Sequence, residues 1–72
     1  MLKLDLSGLN CPLPILKTKK FLAQIDSGEK VEILTTDPAS LLDLQDFCKK
    51  TGNILIKQQQ KDNLIITILQ RR

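Results

Sequence analysis

Apolar residues recur at two different spacings along this chain, and the switches between them mark its elements. In Leu2-Lys3-Leu4-Asp5-Leu6 they alternate with charged residues, the signature of a strand with one apolar face. Ser7 and Gly8 then open a loop. From Pro12 to about Ile25 the apolar positions Ile15, Leu22 and Ile25, with Thr18 between them, fall at helical spacing, and Leu16 and Phe21 widen the stripe. Asp26-Ser27-Gly28 closes that helix. Val31 to Leu34 is a short apolar run between Lys30 and Thr35, which reads as a buried strand. Asp37 is a good N-cap and Pro38 a good first residue for a second helix. Its inner stripe is Leu41, Leu44, Phe47 and Cys48, its last turn holds Lys49 and Lys50, and Gly52 ends it. Strands follow over Ile54–Gln59 and Leu64–Leu69, joined through the turn-forming residues Gln60-Lys61-Asp62-Asn63.

The predicted order, β-α-β-α-β-β, implies an α+β fold with a four-stranded mixed sheet. A helix between sequential strands makes a crossover and a parallel pair, whereas the short last connection makes an antiparallel hairpin. Two helices cover one face of such a sheet, so a two-layer sandwich is expected with the other face open. Leu64, Ile66 and Ile68 lie on one side of the last strand and Ile65, Thr67 and Leu69 on the other, which leaves the open face partly apolar. A contiguous patch there would point to a partner or a second copy of the chain. Because the first two strands are parallel, the loops leaving them share one edge of the sheet. Cys11 and Asp37 are therefore expected on a common rim, where ligand sites of α/β sheets tend to fall.

That rim carries the chemistry. Cys11 is followed at once by Pro12 and Pro14, residues tolerated at the first turn of a helix and not deeper. The cysteine thus stands at or near a helix N-cap, where the helix dipole favours the thiolate, the nucleophilic form of sulfur. The effect is moderate. Pro12 and Pro14 remove two amide donors that make a helix start a good anion site, leaving Leu13 and Ile15 to offer free N–H groups. Pro12, Leu13 and Pro14 shape the surroundings of the thiol. Asp37 is a helix cap first, a role compatible with one beside the sulfur. Lys17, Lys19 and Lys20 are either a solvated face or a docking surface for an acidic partner.

Composition removes most competing chemistries. The chain has 72 residues, no histidine and two cysteines. At this length one domain is expected, spanning residues 1–72, and only about 60% of the unfolded chain's surface is buried. A Cys–His hydrolase pair is impossible without histidine. Cys11 and Cys48 are too far apart in sequence for a dithiol motif and too few for a zinc site, so no metal and no cofactor are expected. No glycine-rich phosphate loop occurs. Cys48, on the inner stripe of the second helix, reads as a packing residue. The N-terminus is too short and charged for a signal peptide, no run is long enough to span a membrane, and sparse cysteines suit a reducing compartment; the expectation is cytoplasmic. The net charge of +3 favours an acidic partner surface. It also admits a small basic RNA-binding domain, or a regulatory module in which Cys11 is incidental. Against direct nucleic-acid binding, the aromatic residues are Phe21 and Phe47, both on predicted helices, whereas single-strand binders stack bases on exposed rings. A lone activated thiol without an imidazole is read as a carrier of a group rather than as a self-sufficient catalyst.

The run Asp5-Leu6-Ser7-Gly8-Leu9-Asn10-Cys11-Pro12-Leu13-Pro14 resembles the Cys-Pro-x-Pro signature of the TusA/SirA-like sulfur-carrier family. The resemblance extends to Ser27-Gly28, Asp37-Pro38, Phe47-Cys48 and Gly52, and so covers essentially the whole chain. It implies a two-layer α/β sandwich like the C-terminal domain of a bacterial translation initiation factor. It also implies a persulfide on Cys11, loaded by a cysteine desulfurase or rhodanese-like donor and passed to a downstream acceptor protein. The routes served by the family include tRNA thiolation, cofactor sulfuration and sulfur oxidation. The tRNA-thiolation members tend to carry arginine before the cysteine and an acidic residue between the prolines; here those positions are Asn10 and Leu13, and Ser7 stands where arginine is common. A monomer or weak homodimer is expected.

Overall fold

The computed structural model describes residues 1–72, and its elements follow the predicted order. Strand β1 is Leu2–Asp5, helix α1 Leu13–Leu22, strand β2 Lys30–Thr35, helix α2 Ser40–Thr51, strand β3 Ile54–Lys61 and strand β4 Leu64–Gln70. The sheet order is β1-β2-β4-β3. β1 runs parallel to β2, with Leu2 opposite Val31 and Leu4 opposite Ile33, and β4 is antiparallel to both β2 and β3. The fold is thus the α+β sandwich expected from the pattern.

Alternation in β2 and β4 separates the two faces. Val31, Ile33, Ile65 and Leu69 are buried, and Val31, Ile33 and Leu69 form one core with Leu22 of α1 and with Leu44, Phe47 and Cys48 of α2. Thr35 and Thr67 are buried on the same side. The apolar run of β2 reads as a buried strand; Glu32 and Leu34 are only half-buried, because no layer covers the second face. Leu64, Ile66 and Ile68 lie half-buried on that open side. Both edges of the sheet are free strands, and β3 carries an irregularity between Leu55 and Lys57 that interrupts its pairing register.

Both helices are shorter than the sequence pattern predicts. α1 stops at Leu22 because the chain tightens there: Gln24 N–H bonds to the Phe21 carbonyl and Ile25 N–H to that of Leu22, three residues back. Ile25 still packs against the core from beyond the helix. α2 begins at Ser40 rather than Pro38, since Ser40 N–H closes a turn onto the Asp37 carbonyl at 2.9 Å. Leu16, expected to widen the buried stripe of α1, is 54% exposed. No helix is long and apolar enough to cross a membrane.

Gly52 ends α2 in a left-handed conformation, φ 82°, with its N–H on the Cys48 carbonyl. A Cβ there would also lie 3.2 Å from Arg72 Cδ. Gly52→Ala should therefore cost about 1–2 kcal/mol, read from the denaturant midpoint at unchanged slope. Wild-type stability in this variant would mean that the helix end readjusts without strain.

Candidate functional site

The two loops that follow β1 and β2 are stitched together at one end of the sheet. Leu6 extends the parallel ladder with its N–H on the Leu34 carbonyl at 2.8 Å, and its side chain is buried. Asp5 then turns the chain by accepting from both the N–H and the hydroxyl of Ser7. These two bonds hold the Asp5 carboxyl below the usual carboxylate range. Gly8, at φ 84°, donates its N–H to Thr36 Oγ1 across the gap. Three residues on, the Cys11 N–H reaches Asp37 Oδ2 at 2.7 Å.

Asp37 joins two elements with one carboxylate. Oδ2 holds the backbone of Cys11, while Oδ1 accepts the N–H of Ala39, the N-cap of α2, at 3.1 Å. Its carbonyl takes both the N–H and the hydroxyl of Ser40, and that hydroxyl also bonds the buried Thr35. The common rim expected from parallel β1 and β2 is therefore a hydrogen-bonded unit, and Cys11 sits on it as an exposed free thiol. The Cys11–Pro12 peptide is cis. Pro12 is the N-cap of α1, one residue beyond the cysteine, and Pro14 is buried at the second helical position.

Cys11 opens into a shallow groove of about 430 Å³ between the two helices. Pro12, Leu16 and Lys19 line it from the α1 side and Asp43, Phe47 and Lys50 from α2. The surroundings overturn the expectation of a mildly acidic thiol. They push the Cys11 thiol above its ordinary range, first by desolvation and next through the Asp43 carboxylate, which favours the protonated form both as an acceptor and as a negative charge; Asp37 adds to this. The helix start does little to oppose them. Pro12 and Pro14 lack N–H groups, and the Leu13 N–H is already spent on the Asn10 carbonyl at 2.9 Å.

A profile of the family described as Sulfurtransferase TusA matches residues 2–71. The chain belongs to the TusA family. It is 48% identical over 59 residues to the sulfur carrier protein TusA of Allochromatium vinosum, covering 82% of this chain and 78% of that one. It is 34% identical over 58 residues to the sulfur carrier protein TusA of Pseudomonas entomophila, covering 81% and 72%. The crystal structure of a SirA-like protein from Desulfitobacterium hafniense superposes with a TM-score of 0.84 at 28% identity, over 97% of this chain and 96% of that one.

In this TusA-family chain the residues singled out from sequence do not all meet. Cys11, Pro12 and Asp37 converge on the rim, Leu13 is 42% exposed beside them, and Pro14 anchors α1 inward. Of the three lysines, Lys19 lines the groove, whereas Lys17 and Lys20 lie on the other flank of α1, near Leu4 and Phe21. Cys48 is buried, and burial raises its thiol as well. Sequence reading passed over Asp43 and Asp46, placed Lys50 only in the last turn of α2 and counted Leu16 toward the buried stripe of α1. Only the helical spacing of Asp43, Asp46 and Lys50 hinted that they share one face of α2.

Proposed function

We infer that the chain carries a sulfane sulfur as a persulfide on Cys11. The carrying observation is an exposed, unpaired thiol on a rim fixed by Asp37, in a chain whose TusA-family relatives are sulfur carrier proteins. Residues 1–72 act as one carrier domain in a reducing, cytoplasmic compartment. Its partners are a cysteine desulfurase or rhodanese-like donor and a downstream acceptor protein.

The transfer balances without an oxidant. The Cys11 sulfur attacks the outer sulfur of a donor persulfide, the donor's S–S bond breaks as the new one forms, and the donor departs as a thiolate. That thiolate takes the proton Cys11 gives up. Cys11–SH and donor–S–SH become Cys11–S–SH and donor–SH, and the acceptor repeats the exchange. This chain has no histidine to serve as base. Pro12, Leu13 and Pro14 keep the thiol at the tip of α1. Lys19, beside the groove, contacts an acidic partner during transfer, and Lys17 and Lys20 extend the cationic surface around the helix.

Intact-mass measurement after incubation with a cysteine desulfurase and cysteine tests the reading. The expected result is a gain of one sulfur, about 32 Da, removed by a reducing thiol. No gain with any persulfide donor would overturn it.

A further inference from the structure

We propose that Asp43 is a positioning residue whose carboxylate, lining the Cys11 groove, disfavours the thiolate of the empty sulfur, so that loading speeds up when a partner's cation neutralises it. Its biological meaning rests on the carrier reading above; the proton balance at Cys11 does not.

The geometry ties the backbones of Cys11 and Asp43 to one turn. Ala39 donates its N–H to Asp37 Oδ1, while Asp37 Oδ2 holds the Cys11 N–H. The Ala39 carbonyl accepts the N–H of Asp43 at 3.0 Å, one turn into α2. Cys11 and Asp43 are thus set against the same N-terminal turn, and their side chains line the same groove.

The other acids facing the groove are engaged elsewhere. Both Asp37 oxygens are engaged by backbone N–H groups. Asp46 is paired with Lys50 at 2.8 Å, one turn further along α2. Lys19 is the cation from α1, and no ion pair ties it to Asp43. The thiol is raised first by desolvation and next by Asp43, which agrees with this arrangement.

Loading changes the balance. In a persulfide the charge moves to the outer sulfur, one S–S bond or about 2 Å further out. Coulombic repulsion weakens with that distance and with hydration. The groove therefore disfavours charge on the empty sulfur more than on the loaded one, which protects the resting thiol from stray electrophiles.

The pH profile of Cys11 alkylation by iodoacetamide, followed by intact mass, tests this without any sulfur donor. Asp43→Asn should move the midpoint to lower pH and speed alkylation several-fold at neutral pH, while Asp43→Glu, which keeps the charge, should move back toward wild type. Superimposable Asp43→Asn and wild-type profiles would overturn the proposal. Should Asp43→Asn fail to fold, Asp43→Ser takes its place: a midpoint below that of wild type supports the proposal, and an unchanged one overturns it. Failure of the carrier reading would appear separately, as absence of the sulfur mass gain in a protein whose alkylation profile still responds to Asp43.

Discussion

Cys11→Ser is expected to fold as the wild type does and to accept no sulfur at all. The side chain is exposed and closes no packing contact in the core, so the stability change should stay within about 0.5 kcal/mol. The backbone bond to Asp37 does not depend on the sulfur and persists. A hydroxyl cannot form a persulfide, so the mass gain should vanish rather than diminish. The second cysteine sharpens the test. Cys48 is 3% exposed and lies in the core beside Leu44 and Phe47, where no partner persulfide can reach it. Wild type should therefore gain one sulfur and not two, and Cys48→Ala should still gain it if the variant folds. A Cys11→Ser protein that took up sulfur would place the cargo elsewhere and end the assignment of this thiol.

Asp37→Ala should cause the next largest change, acting on stability and on the thiol together. The substitution leaves the N–H groups of Cys11 and Ala39 without their acceptor and unties the β1–α1 loop from the start of α2. Losing two exposed hydrogen bonds to a carboxylate costs about 1–2 kcal/mol. For a domain of this size that corresponds to a fall in melting temperature of roughly 5–15 °C. Water can reach the freed Cys11 amide, which limits the penalty. Asp37→Asn should recover only part of it, because an amide offers one oxygen where the carboxylate offers two. Loading of Cys11 should slow in both variants, since the thiol then samples positions away from the groove. Thermal unfolding by circular dichroism, with the rate of sulfur uptake measured on the same samples, checks both effects. An unchanged melting temperature would mean that the sheet alone holds the two loops in place.

The asymmetry between the elements read correctly and those misjudged has a common origin. Gly52, Pro12 and Pro14 act within a few residues of themselves, so their positions announced where a helix starts or stops. Asp37, expected as the N-cap of α2, lies two residues before the actual N-cap, Ala39. Errors of two or three residues arose where a local bond competed with the pattern, as at Ser40, whose N–H is held by the Asp37 carbonyl, and at Ile25, whose N–H bonds back to Leu22. Leu16 was misjudged because a stripe of apolar residues does not say how wide the neighbouring helix will cover it. The packing of α1 against α2 leaves this side chain facing the groove at Cys11. The same limit hid Asp43. On its own helix it looks like an ordinary solvated acid, and only the docking of α2 beside α1 turns it toward a sulfur 32 positions earlier in the chain.

The linear pattern alone set the order and type of the elements and placed an exposed thiol at the start of α1, because periodicity and capping belong to neighbouring residues. The placement of β4 between β2 and β3, the tie from Asp37 to the Cys11 amide and the carboxylate beside the thiol came only with the tertiary structure. Those features depend on the relative orientation of segments far apart in sequence. That orientation is settled by the joint packing of the core, and it reversed the local expectation for the acidity of Cys11.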